Sequence, residues 1–118
     1  MGRVIHTLPE GEPVMGVTSL DNHLYVLRRN KSSEQIEVYD IDSYRLLRSL
    51  TVPGLVSGDD IVACNCNRCA YISDYSHDCI HRVSLSDATV THWPVNGRPA
   101  RLSLTYTHGV LVLSLIHI

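Results

Sequence analysis

The sequence predicts an all-β chain built from a repeated antiparallel unit, and three observations carry that expectation. Three prolines, in Leu8-Pro9, Val52-Pro53 and Trp93-Pro94, recur 44 residues apart (Pro9 to Pro53) and then 41 (Pro53 to Pro94). Each closes a short strand-like run (Val4-Ile5-His6-Thr7, Arg48-Ser49-Leu50-Thr51, Val90-Thr91-His92-Trp93) and precedes a turn with glycine, at Gly11, Gly54 and Gly97. Finally, Leu24-Tyr25-Val26 and Ala70-Tyr71-Ile72 are one element written twice, 46 residues apart. A strand-only repeat of about 40–45 residues is the mark of propeller blades. The expected fold is an incomplete β-propeller: about two four-stranded antiparallel blades, over 14–53 and 59–94, with partial blades at both ends.

Each element follows from strand-forming composition, alternation and turn residues. Residues 3–8 read as the outer strand of a preceding blade, and 10–13 as a turn and connector. Val14–Leu20, apolar and small, suits an inner strand near a central channel, and Asp21-Asn22 is a tight turn. His23–Arg28 places Leu24 and Val26 on one face and Tyr25 and Leu27 on the other. Both faces are apolar, as a strand sandwiched between blades requires. Asn30–Glu34 is a polar loop, Gln35–Ile41 an alternating strand, Asp42-Ser43 a turn, and Tyr44–Val52 an outer strand carrying Arg45 and Arg48. Leu46, Leu47 and Leu50 also fit a helical stripe, but the matching segment Ala88–Trp93 is β-branched and favours strand. The second blade repeats the plan. Asp59-Asp60 opens it, Ile61–Cys66 is the inner strand, Asn67-Arg68 the turn and Cys69–Asp74 the second strand. Then come the loop Tyr75–Asp78, the strand Cys79–Leu85, the turn Ser86-Asp87 and the outer strand Ala88–Trp93. A third blade begins at Arg98–Thr105, turns at Thr107-His108-Gly109 and continues into Val110–Val112. With no Phe, six Tyr and one Trp, aliphatic side chains must fill most of the inter-blade core.

A closed propeller takes about 4–8 blades. Two blades in 118 residues leave two apolar faces open, so the first partners expected are the remaining blades of a longer chain. Residues 113–118, Leu-Ser-Leu-Ile-His-Ile, coincide with the translation of a transposon-end adapter used in sequencing libraries. The expected domain is therefore 1–112, with 113–118 an adapter artefact and His117 without a role. The net charge is −2 and the largest basic cluster is Arg28-Arg29-Asn30-Lys31. The basic surplus of a nucleic-acid binder is lacking, and no nucleic-acid partner is expected. No signal-peptide pattern and no 18-residue apolar run occurs, and His6 stands where a myristoylation signal needs Ser or Thr. A cytoplasmic chain with no membrane partner is expected.

Ala70-Tyr71-Ile72-Ser73-Asp74, a polar loop, then Cys79-Ile80-His81-Arg82-Val83 resembles the NHL-type propeller repeat, whose strand ends roughly in YVAD and is followed by a polar loop and RIxVF. Leu24-Tyr25-Val26-Leu27 followed by Gln35-Ile36-Glu37-Val38-Tyr39 is a second copy, with Arg28 where the aspartate would stand. His81 is a further departure, intruding just ahead of the apolar strand pattern. The resemblance covers about 14–112. Relatives of this kind include RNA- or protein-binding modules at the end of ubiquitin-ligase chains, and secreted or lyase enzymes. It therefore implies a fold and an interaction surface rather than one activity.

Cys64, Cys66, Cys69 and Cys79, with His77 and His81, are the zinc candidates, since thiolates and imidazoles are zinc donors. Their C-x-C-x₂-C-x₉-C spacing lacks paired CxxC knuckles, so the leading expectation is independent reduced thiols buried as small hydrophobes, with no metal and no cofactor. A Cys69–Cys79 disulfide is the other alternative, and it requires an oxidising compartment. No histidine sits in a nucleophile motif: His77-Asp78 beside Ser76 does not make a triad, which is assembled from distant segments. Asp59-Asp60, Asp74 and Asp78 read as turn formers, although propeller hydrolases hold calcium with such carboxylates. Asn30-Lys31-Ser32 is a chance glycosylation triplet, and Trp93 is expected to pack across outer strands, the alternative being an exposed anchor for a partner. No catalytic residue is assigned. The expected function is a non-catalytic protein-interaction platform presenting loops, with Asn30, Lys31, Arg68, Asp74, His77 and His108 as partner-binding residues. The alternative is a fragment of a calcium-dependent lactonase-like hydrolase or lyase whose site lies mostly in other blades.

Overall fold

The computed structural model describes residues 13–29, 35–55, 58–65, 68–74, 78–95, 99–107 and 110–117. Every regular element among them is a strand: β1 (Val14–Leu20), β2 (His23–Arg28), β3 (Gln35–Asp40), β4 (Leu46–Thr51), β5 (Gly58–Cys64), β6 (Cys69–Asp74), β7 (Cys79–Ser84), β8 (Val90–Pro94), β9 (Pro99–Thr107) and β10 (Val110–His117). They form two four-stranded antiparallel sheets, β1-β2-β3-β4 and β5-β6-β7-β8, and the pair β9-β10. The inner strand β1 packs against β5, and β5 against β9, so the sheets succeed one another as blades of an incomplete propeller.

The two blades repeat in backbone detail. Both inner strands shift register near their start, between Val14 and Gly16 and between Gly58 and Asp60, which makes Gly16 the counterpart of Asp60. Both β3–β4-type turns bond the amide of a left-handed residue back four positions: Tyr44 (φ 58°) to the Asp40 carbonyl, and Ala88 (φ 62°) to the Ser84 carbonyl. In the first blade Asp21 and Asn22 both have positive φ, as a two-residue type I′ hairpin turn demands. Glycine matters at Gly16, where a Cβ would lie 3.1 Å from Ile61 Cγ2; its absence lets the inner strands meet closely.

The main core is the interface between the blades. Tyr25, Leu27, Ile36 and Val38 of the first blade are buried together with Ile61, Ala70, Ile72 and Val83 of the second. A second cluster, Cys64, Cys69, Tyr71, Ile80 and Leu102, joins the far face of the second blade to β9. Polar stitches fix the spacing: the Ala63 amide donates to Thr18 Oγ1, Arg48 to the Leu85 carbonyl, and the Leu102 amide to Asp60 Oδ2.

Several expected boundaries move. Tyr44 and Arg45 belong to the turn, because Tyr44 takes the left-handed conformation that closes it, and the outer strand starts at Leu46. No helix forms over 44–50. Asp59 and Asp60 lie inside β5, which ends at Cys64 rather than residue 66. β9 extends to Thr107, and β10 runs from Val110 through His117. The expected strand at 3–8 and the loop at 30–34 lie outside the described residues. Among the described residues no helix is long and apolar enough to cross a membrane.

Candidate functional site

Two places on the blades bring chemistry-bearing side chains together. The first is a groove of about 280 Å³ between the blades, whose walls include Tyr25, Leu47, Arg48 and Arg68. Strand alternation points Tyr25 toward the second blade, and burial pushes its phenol above the ordinary range, an effect opposed by the nearby Arg48 and Arg68. Arg68 pairs with Asp21, which ties the β5–β6 turn to the β1–β2 turn on the same rim. Leu47 is 48% exposed beside these cations.

The second place is buried at the opposite end of the second blade. β6 and β7 pair Asp74 with Cys79 and Ile72 with His81, so side-chain alternation puts all four on the face turned toward the first blade. His81 Nε2 lies 3.0 Å from Asp74 Oδ2 and 3.4 Å from Cys79 Sγ. Asp74 is 0% and His81 2% exposed. A cleft of about 320 Å³ opens beside them, lined by Gly54, Cys79, His81, His92 and Pro94. The thiol and the carboxylate meet the same imidazole nitrogen. A nucleophile–base–acid relay needs them on opposite nitrogens, so the trio is not a catalytic triad. Burial, with the carboxylates of Asp74 and Asp78 adding to it, raises the Cys79 thiol above its usual range, opposite to the shift an activated nucleophile requires.

The residues singled out in the sequence therefore separate. Of the zinc candidates, Cys79 and His81 come together, and Asp74 joins them. Cys64 and Cys69 sit opposite each other across β5 and β6, on the other face, in the cluster that meets β9. The structure does not bring them to Cys79. Cys66 and His77 lie outside the described residues. The alternative of a Cys69–Cys79 disulfide fails: the two pair with Ser84 and Asp74 at opposite ends of the hairpin, roughly 16 Å apart at about 3.3 Å per strand residue. Disulfides need Cα atoms within about 7 Å. Cys64, Cys69 and Cys79 are free thiols.

Of the partner-binding residues, Arg68 is exposed at the rim groove. Asp74 is the strand end that was expected, but as a partner-binding residue it is corrected: its side chain is buried, with the carboxylate turned inward to His81. Asn30, Lys31, His77 and His108 lie outside the described residues. Asp60, named as a possible calcium ligand, accepts from two backbone amides, Ile61 N and Leu102 N, and so serves blade packing. Trp93, 37% exposed, stands edge-on to Tyr71 of β6 with ring centroids 6.1 Å apart. The Arg48 side of the groove was not singled out in sequence, since an arginine on an outer strand carries no motif.

No protein family profile matches the chain, and neither does any curated protein. Among solved structures it is similar to a protein from Lactobacillus plantarum, with 15% identity and a TM-score of 0.63, over 92% of this chain and 36% of that one. It is also similar to the computationally designed Ika4 protein, with 13% identity and a TM-score of 0.59, over 98% of this chain and 68% of that one. The chain thus spans about a third of the length of the Lactobacillus protein. At these identities the likeness is one of fold, and with the two four-stranded sheets it makes this chain a β-propeller segment.

Proposed function

We propose that the chain is part of an NHL-like propeller that serves as a non-catalytic protein-interaction platform, with its partner seated in the rim groove between the two blades. The observation that carries this reading is the composition of that groove: Tyr25, Arg48 and Arg68 around the half-exposed Leu47. Arginine beside an exposed apolar side chain is among the contacts that dominate binding energy at protein interfaces, and Tyr25, 3% exposed, backs the groove from the core. The two guanidinium groups suit a partner segment that carries a carboxylate next to an apolar side chain. The inter-blade stitches hold the groove walls in place, so binding loses little conformational entropy. A reducing, cytoplasmic setting fits the free thiols Cys64, Cys69 and Cys79.

The test compares the full-length protein with its Leu47→Asp/Arg48→Glu variant, scoring partners recovered by quantitative co-purification and then by direct titration. The reading predicts at least a tenfold weaker partner affinity with an unchanged β-sheet circular dichroism spectrum. Equal affinity for both proteins contradicts it, as does calcium-dependent hydrolysis of lactones by the full-length protein.

A further inference from the structure

We propose that Asp74, Cys79 and His81 form a zinc-class metal site, with a coordination position open to the cleft beside Gly54 and His92. The carboxylate oxygen, sulfur and imidazole nitrogen lie within 4.8 Å of one another. Zinc–sulfur bonds of about 2.3 Å and zinc–nitrogen or –oxygen bonds of about 2.0–2.1 Å at tetrahedral angles imply nitrogen-to-oxygen edges of about 3.3 Å and nitrogen-to-sulfur edges of about 3.6 Å. The observed separations are 3.0 Å and 3.4 Å, so two of the three edges match to within a few tenths of an ångström.

Strand register alone assembles the donors. Cys79 and His81 are two apart on β7 and share a face, and Asp74 is the direct partner of Cys79 on β6. Sites held by paired strands are more rigid than sites on loops. The donor set is borderline-soft, which favours zinc over magnesium or calcium.

The other imidazole nitrogen is compatible with this ligation. The imidazole is buried, and its Nδ1 has no hydrogen-bond partner. The protein fills only one of the two ring nitrogens. A cation on Nε2 would leave the ring proton on Nδ1. The His92 ring, 5.7 Å from that of His81, stands beside the open position.

The first blade shows what the same slot looks like when the protein supplies its own cation. Arg28, Gln35 and Glu37 occupy the positions of Asp74, Cys79 and His81, and Arg28 Nε donates to Glu37 Oε1 at 2.5 Å. In the second blade all three groups are electron-pair donors, and a divalent ion takes the place of the guanidinium.

The test is titration of the full chain, stripped of metal by a chelator under reducing conditions, with Co²⁺ and then Zn²⁺. The expected result is one equivalent of Co²⁺ with a thiolate-to-cobalt charge-transfer band, displaced by Zn²⁺. Affinity should fall at least tenfold in Cys79→Ser and in His81→Gln, and stay unchanged in Cys64→Ser/Cys69→Ser. A missing band, or a band that survives Cys79→Ser and is lost in the double variant, overturns the site. Should the Cys79 or His81 variants fail to fold, the wild-type chain decides. Zinc must slow alkylation of Cys79 at least tenfold, read by peptide mass spectrometry, and equal alkylation with and without zinc overturns the proposal.

Discussion

The first and second blades share a backbone plan down to the inner-strand bulge and the left-handed turn residue, yet they fill one polar slot in opposite ways. In the first blade Glu37 Oε1 accepts from both Arg28, at 2.5 Å, and Tyr39, at 2.6 Å. In the second, Asp74 replaces the arginine, His81 the glutamate and Val83 the tyrosine, and His81 keeps a buried nitrogen without a partner. The contrast separates two uses of a buried polar group. A slot closed by charge-assisted hydrogen bonds is structural, whereas one that gathers a carboxylate and a thiol around Nε2 of an imidazole, with no cationic side chain among the three, has chemistry left to offer.

The largest effect that breaks the comparison is expected at Glu37. Glu37→Leu removes the acceptor shared by Arg28 and Tyr39 and should cost about 2–3 kcal/mol, read from urea unfolding. Loss below half a kcal/mol would mean the first-blade pair is not structural. The next effect sharpens the contrast. Zinc at about a hundred times its dissociation constant should stabilise the wild-type chain by about 2.7 kcal/mol. It should stabilise His81→Gln by no more than about 1.4 kcal/mol, the value for a tenfold weaker site, and should act fully on Glu37→Gln, whose slot belongs to the other blade.

A smaller effect tests the repeat itself. Tyr44 and Ala88 hold φ of 58° and 62°, a conformation that costs a non-glycine residue about 1–2 kcal/mol. Glycine relieves that strain but loses more chain entropy, so Ala88→Gly should stabilise by about 0.5–1 kcal/mol in thermal melts. Tyr44→Gly should gain less, because it also removes a half-buried side chain.

The smallest effect is electrostatic. The amide and hydroxyl of Ser43 hold Asp40 below the usual carboxylate range, and those of Thr89 do the same for Asp87. A carboxyl whose pKa is depressed on folding contributes stability above its unfolded pKa and loses it as pH falls through the folded value. Asp40→Asn and Asp87→Asn should therefore flatten the acid limb of the stability curve below about pH 4 and leave the curve above pH 6 unchanged in shape. A new slope near neutral pH would contradict the assignment.

The architecture was legible in the sequence because it rests on local chemistry. The Asp21-Asn22 turn, the two-sided apolar strand His23–Arg28 and its echo at Cys69–Asp74 are written in adjacent residues. The outer-strand starts were less legible, since nothing in the identity of Tyr44 or Ala88 announces positive φ. The site was half legible. Cys79 and His81 were marked by residue type, but Asp74 reads as a turn former until the β6–β7 register sets it opposite Cys79. The four cysteines looked like one cluster because they are close in sequence, and strand alternation then sent Cys64 and Cys69 to the opposite face from Cys79. The rim groove depends on packing between blades, which no local motif encodes.

Zinc-edge X-ray absorption of the full chain, loaded with one equivalent of zinc, tests the central contrast most directly. The blade comparison predicts a single sulfur at about 2.3 Å and nitrogen or oxygen donors at about 2.0–2.1 Å. A shell with two or more sulfurs, or with none, would contradict it and move any metal away from Asp74, Cys79 and His81.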